Sequence, residues 1–235
     1  MKSQRRLTNC LAILAVSVLV MAGTSWAEDT SDVEKRIQKS ADVLNEIMGT
    51  PDKAIPDKVM SDAKCIAVVP SMVKIAVGFG GNHGKGIATC RTEHGWSAPA
   101  PITVTGGSWG LQLGGQAIDL VMVITNDGGM QHLLASKFKI GADASAAAGP
   151  KGRTAEGATD IVMTAEILSY SRNKGLFAGI DLDGTSVSQN RDDTQIYYSS
   201  PQDFQKVLRG NVAVPAGAVD FVRDVAHYFV EAKNR

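Results

Sequence analysis

The sequence predicts an α+β domain: an antiparallel sheet or partial β-barrel of many short strands, flanked by N- and C-terminal helices. Three observations carry this. Apolar residues recur at helical spacing from Val33 to Met48 and again after Pro215. Between these segments, short apolar or alternating runs follow one another, separated by Gly-, Asn- and Asp-rich turns. No internal repeat and no long linker divides the chain, so one sheet takes all the strands.

The first residues read as a leader. Lys2, Arg5 and Arg6 form a basic start, Leu11–Ala22 is a small or apolar run, and Ser25-Trp26-Ala27 fits a small-x-small cleavage signal. The apolar run is shorter than the roughly 20 residues a membrane span needs. Cys10 precedes that run and so cannot be a lipidated first residue. The expectation is a signal peptide over 1–27 and a single domain over 28–235, exported to the periplasm or beyond. The chain has 24 Lys and Arg against 24 Asp and Glu; without the leader the balance is 21 against 24. That excludes a bulk polycation and argues against nucleic acid as a partner.

In chain order, Ser31-Asp32-Val33-Glu34 has the form of a capping box. Val33, Ile37, Ala41, Leu44, Ile47 and Met48 then line one helix face, which Gly49 and Pro51 end. The opposite face mixes Lys35, Arg36, Lys39, Asp42 and Glu46, which reads as a helix packed on the domain rather than one lying in a membrane. A short helix follows Pro56. Strands are expected at Cys65–Val69, Val73–Phe79, Gly86–Arg91, Gly95-Trp96, Ile102–Thr105, Ser108–Leu113 and Ile118–Thr125. Asn126-Asp127-Gly128-Gly129 is turn chemistry, and Met130–Ser136 a short helix. Further strands are expected at Thr159–Ser171, Leu176–Leu182 and Thr185–Ser188. Ser200-Pro201 opens a helix to Arg209, and Pro215 a last one carrying Val219, Val222, Ala226, Phe229 and Val230 on one side.

One stretch stands apart. From Gly141 to Gly149 every residue but Asp143 is Gly, Ala or Ser. As a strand, favoured here, it puts Ala142, Ala144, Ala146 and Ala148 on one face and Asp143 and Ser145 on the other. As a helix it is confined to about two turns by Gly141 and Gly149-Pro150. Either way, such small side chains let another element come close.

Most site motifs fail on detail. Gly78–Gly86 lacks the Gly-Lys-Ser/Thr ending of a phosphate loop and the third glycine of a dinucleotide fingerprint, and reads as a mobile hairpin. Cys90, Glu93 and His94, with His83, do not make a paired-ligand signature, so no metal and no cofactor is expected. Asp181-Leu182-Asp183-Gly184 is a turn. Ser145 lacks a nucleophile elbow, so no enzyme is expected. Cys65 and Cys90 are even in number in an exported chain; a disulfide and two buried thiols both remain open. Basic pairs on loops and strands are more suggestive. Lys137 and Lys139 share a strand face, Lys151 and Arg153 flank Gly152, and Arg172 and Lys174 sit before Leu176-Phe177. Converging, they would make a basic rim with Phe177 as an apolar tip, suited to an anionic phospholipid headgroup or membrane surface.

Three stretches together resemble the SYLF lipid-binding family: Ala63–Pro70 (AKCIAVVP), Gly141–Arg153 (GADASAAAGPKGR) and Tyr170–Gly179 (YSRNKGLFAG). Gly84–Ala88 and Gly95–Pro99 support the match, which runs from about Lys35 to Phe229. The resemblance implies lipid binding and no catalytic residues. In eukaryotic relatives the ligands are phosphoinositides, and the domain stands beside SH3 or FYVE modules, coupling membranes to actin. Those relatives use an N-terminal amphipathic helix on membranes, and Val33–Met48 is the candidate here. With neither module and an export signal, this chain resembles the stand-alone bacterial branch. There envelope glycerophospholipids are the expected target and actin is not. A protein or cell-wall partner of the envelope is the alternative.

Overall fold

The computed structural model describes residues 29–50, 55–77, 79–109, 114–150, 164–173 and 176–235; the signal peptide expected over 1–27 lies outside them. Helices α1 (Thr30–Met48) and α2 (Asp57–Asp62) open the domain. Strands β1 (Cys65–Val77), β2 (Phe79–Thr92), β3 (Gly95–Trp96), β4 (Ala100–Trp109) and β5 (Gly114–Ile124) follow. Next come α3 (Asp127–Leu134), β6 (Lys137–Lys139), β7 (Ala146–Ala148), β8 (Ile167–Asn173), β9 (Leu176–Gly179) and β10 (Thr185–Gln189). Helices α4 (Arg191–Tyr198), α5 (Phe204–Leu208) and α6 (Val219–Lys233) complete the order. The strands form one curled sheet, β6-β10-β4-β2-β1-β5-β8-β7, with β3 added to β2 and β9 to β8. This is the expected α+β half-barrel. It is antiparallel except for β7, which runs parallel to β8.

The central strands are covered on both faces, which is why they read as unbroken apolar runs. Ile66 and Val68 pack into one core with α1, α2 and α6; Cys65, Ala67 and Val69 pack into a second core with β4, α3 and α5. Strands buried on one face only would alternate. The stripe expected on α1 is the first core: Val33, Leu44 and Ile47 are fully buried, and Ile37 and Ala41 nearly so. Asn45 of α1 donates to Asp224 of α6 at 2.8 Å and accepts from the Tyr228 hydroxyl at 2.8 Å, fixing the two helices to each other.

Several local expectations are corrected. Asp29, not Ser31, caps α1, its side chain accepting from the Asp32 N–H at 3.1 Å. The Ser31 hydroxyl also bonds to Asp29, and these hydrogen bonds hold the Asp29 carboxyl below its ordinary pKa. The run Cys65–Val69 and the expected Val73–Phe79 run up to Val77 join into β1, interrupted by a bulge between Val69 and Met72 where Ser71 takes φ +54°, while Phe79 opens β2. The glycine-rich segment after it is strand β2, paired on both sides, with residue 78 outside the described residues. The short helix expected over Met130–Ser136 starts earlier, within the expected turn, with Asn126 as the cap of α3; its side chain accepts from the Gly129 N–H at 2.9 Å. Asp203 caps α5 by accepting from the Gln205 N–H at 2.8 Å. Helix α4, capped by Asn190, was not expected.

The small-residue stretch is not one strand. Gly141 takes φ +84°, and the Asp143 carboxylate accepts from the Lys139 N–H at 2.7 Å, closing a turn. Only Ala146–Ala148 is a strand. A single bridge, Ile140 to Ala144, sits in the turn between β6 and β7, the two end strands of the order. The close neighbour this stretch admits is an aromatic ring: a Cβ on Gly149 would fall on the ring of Tyr170, which is fully buried. Burial pushes the Tyr170 phenol far above its ordinary pKa. Gly149→Ala should therefore cost about 2 kcal/mol as an overpacking substitution. Urea denaturation measures it, and an additional Tyr170→Phe should not relieve it, because the ring and not the hydroxyl fills the space.

Candidate functional site

Of the basic residues singled out from sequence, Lys137, Lys139 and Arg172 lie among the described residues. Lys137 and Lys139 are exposed on either side of buried Phe138 on β6, one end of the strand order. Arg172 is on β8, next to the other end. Its Nε donates to Asp119 at 2.8 Å, and it is ion-paired with both Asp119 and Glu46. Lys151, Arg153 and Lys174 lie outside the described residues. Phe177 is placed by its backbone as the register partner of Arg172. Cys65 and Cys90 are register partners across β1 and β2 and form a disulfide; both are fully buried.

Asp143 and Ser145 are exposed and held by local hydrogen bonds. Asp143 closes its turn. Ser145 is tied to Glu166, whose carboxylate accepts from the Ser145 N–H at 2.7 Å and hydroxyl at 3.2 Å. His132 stands 3.7 Å from the same carboxylate. The order is Ser–Glu–His, with the carboxylate between the hydroxyl and the imidazole, so His132 does not meet the serine as the base of a Ser–His pair does.

A cluster that the sequence reading passed over has stronger electrostatics. The β1 bulge presses β1 against β2: a Cβ at Gly84 would lie 2.6 Å from Val69 Cγ1, and one at Gly86 2.5 Å from the Val68 carbonyl oxygen. Only glycine fits on either side of Lys85, and that close approach fixes where Lys85 emerges. Helix α1 crosses the same place and brings Lys35, Arg36 and Lys39. With Pro70 and Ser71 of the bulge they line a cleft of about 260 Å³. Ser71 is held by its N–H, which donates to Asp119 Oδ1 at 2.8 Å.

Beneath the cleft lies Asp193 of α4, only 1% exposed. It takes Arg36 at 2.6 Å and Lys85 at 3.0 Å, and Asn190 Nδ2 donates to it at 2.8 Å. Two cations thus share one buried carboxylate. Exposed Lys35 pairs with Asp32 at 3.2 Å, while Lys39 has no carboxylate partner among the described residues. Among the described residues, Lys35, Arg36, Lys39 and Lys85 gather here around Asp32 and Asp193, an arrangement that attracts anions. A larger cleft, about 680 Å³ beside α4 and α5, sets Arg191 against Asp203 among glutamines, with no excess of either sign. The signal for the positive cleft was in the sequence, in the lysines of α1 and the glycines around Lys85. What joins them is the bulge, and no local pattern announces that.

A family model described as Ysc84, Las17-binding protein actin regulator, matches residues 105–228. Rat SH3 domain-containing YSC84-like protein 1 is 30% identical over 208 residues, 86% of this chain and 61% of the relative. Protein YSC84 of Saccharomyces cerevisiae is 30% identical over 203 residues, 81% of this chain and 42% of the relative. In Schizosaccharomyces pombe, SH3 domain-containing protein PJ696.02 is 34% identical over 170 residues, 71% of this chain and 39% of the relative. The chain spans about three fifths of the mammalian relative's length and less of the yeast proteins'. With the family model covering more than half of it, and this identity running through most of its length, the chain belongs to the Ysc84, or SYLF, family.

Proposed function

We propose that this protein is an exported, envelope-associated lipid-binding domain, without catalytic activity, that holds anionic phospholipid headgroups in the cleft between α1 and the β1 bulge. The observation that carries the reading is the charge of that cleft. Arg36 and Lys85 share the buried Asp193 carboxylate, and Lys39 has no carboxylate partner among the described residues. A phosphate entering beside Lys35 and Lys39 supplies the missing negative charge. The apolar stripe of α1 is buried in the core, so in this fold α1 offers a membrane its charged face only. Among the described residues no helix is long and apolar enough to cross a membrane.

Vesicle co-sedimentation tests the reading. The protein should sediment with phosphatidylglycerol vesicles and not with phosphatidylcholine, and binding should weaken as salt is raised. Lys35→Gln with Lys39→Gln should lose roughly 30-fold in affinity, at about 1 kcal/mol for each lysine near an anionic surface. Both side chains are exposed, so the melting temperature should hold. Equal binding to both lipids, or an unaffected double variant, refutes the site. The printed names of the relatives, Las17-binding and SH3-containing, support a second reading in which the domain docks on a protein. That reading gains if neither vesicle is bound.

A further inference from the structure

Helix α4 presents different chemistry on its two sides. Asp193, Thr194 and Tyr197 are buried, and Asp193 serves the headgroup cleft. Arg191, Asp192 and Gln195 are exposed on the opposite side of the helix. There they wall a second groove. Two clefts of about 680 Å³ and about 470 Å³ meet at Gln195 and Pro201, which line both. The described residues that line them include none that lines the headgroup cleft.

The groove is rich in amides. Gln189 reaches it from β10, Gln195 from α4, Gln202 from the α4–α5 connection and Gln205 from α5. Local hydrogen bonds orient three of them. Gln189 Nε2 donates to the Ala135 carbonyl at 3.3 Å, and Gln205 Nε2 to the Leu134 carbonyl at 3.3 Å. A carbonyl only accepts, so in both side chains the nitrogen faces the backbone and Oε1 is turned away from it. Gln202 Nε2 donates to the Ser200 hydroxyl at 2.9 Å. Asp192 and Asp203 add carboxylate acceptors, with Arg191 between them in charge.

This lining selects by chemistry. An anion meets one guanidinium beside two carboxylates and gains little. A hydrocarbon would strip water from amides and carboxylates without replacing their hydrogen bonds. A ligand carrying many hydroxyls meets oriented acceptors, and Arg191 and the remaining amide N–H groups donate to its oxygens. Pro201, at the junction of the two clefts, offers apolar surface to its C–H groups. The larger cleft alone has the volume of a site for a drug-sized ligand, which suits a short chain of rings. We propose that the groove along α4 and α5 binds a neutral, hydroxyl-rich oligosaccharide. The site is separate from the headgroup cleft, and the inference does not rest on the lipid-binding reading. An extended peptide is the competing occupant; it brings one backbone donor per residue, fewer than the hydroxyls of a sugar ring.

Isothermal titration of the full chain with cellohexaose, chitohexaose and a neutral Gly-Ser peptide tests this. At least one hexasaccharide should bind, more tightly than the peptide and equally at low and high salt, because no net charge drives it. Gln195→Ala with Gln205→Ala should weaken that binding at least tenfold. Both side chains are exposed, so the melting temperature should hold. Gln195→Trp, which fills the junction of the two clefts, should abolish it. Sedimentation of both variants with phosphatidylglycerol vesicles should match the wild type. No binding of either hexasaccharide, an unaffected double variant or tighter binding of the peptide overturns the inference. So does saccharide binding that falls with salt. Loss of vesicle binding in the glutamine variants also overturns it, since the groove then belongs to the membrane face. Saccharide binding by a chain that ignores anionic vesicles supports this inference and refutes only the headgroup cleft.

Discussion

Asp193→Ala is expected to destabilise the fold by about 3–5 kcal/mol, the range for removing one partner from a buried ion cluster. Asp193 is 1% exposed and the Arg36 side chain 11%. With the carboxylate gone, Arg36 and Lys85 lose the negative charge they share. The loss also unties α4 from α1 and β2, because Asp193 is the α4 residue that takes Arg36 and Lys85. Urea denaturation followed by far-UV circular dichroism measures the effect as a fall in midpoint at constant slope. Asp193→Asn should cost less, since an amide oxygen can still accept from Arg36. Arg36→Met with Asp193→Leu should recover much of the stability, as apolar replacements of buried ion pairs often do. If Asp193→Ala unfolds within 1 kcal/mol of wild type, the cluster is not a structural tie.

The second large effect concerns the Cys65–Cys90 bond. It closes a chain separation of 25 residues, and the loop-entropy relation assigns such a closure about 3.5 kcal/mol. Cys65→Ala with Cys90→Ala should lower stability by that amount, with a further contribution from the small cavities left at two fully buried sites. Mild reductant should leave the native wild type oxidised and act only once urea exposes the bond. A double variant as stable as the wild type would mean that the β1–β2 pairing needs no covalent tie. The bond also constrains register. Moving β1 by one residue against β2 would swap the Ile66 and Val68 face with the Cys65, Ala67 and Val69 face, and the two sulfurs would no longer stand opposite each other.

The sequence reveals some parts of this fold better than others, for physical reasons. The α1 stripe is legible because one face of that helix is buried and the other wet. The CIAVV and LVMVI runs are legible because both faces of their strands are covered. The break in the small-residue stretch is not legible by period, since it depends on one glycine conformation and on the Asp143 side chain accepting from Lys139. Helix α4 is missed because RDDTQIYY is short and polar; its signal was local, Asn190 as a cap with two aspartates in the first turn. The disulfide stays open in sequence because spacing cannot state that Cys65 and Cys90 are opposite each other. Of the residues expected in the basic rim, Lys151, Arg153 and Lys174 lie outside the described residues. Arg172 looked free on a turn, but its charge is taken by Asp119, distant in sequence, and by Glu46 of α1. The cleft depends on a bulge that brings Lys85 to residues of a helix some fifty positions earlier.

The burial of α1's apolar face has a kinetic corollary. A helix that had to leave the domain to meet a membrane would make each encounter a partial unfolding, slow and costly in ordering. Here α1 keeps its place, so a surface meets a rigid body. Capture should then be limited by diffusion and steered by the cleft's charge, with a rate that falls as ionic strength rises.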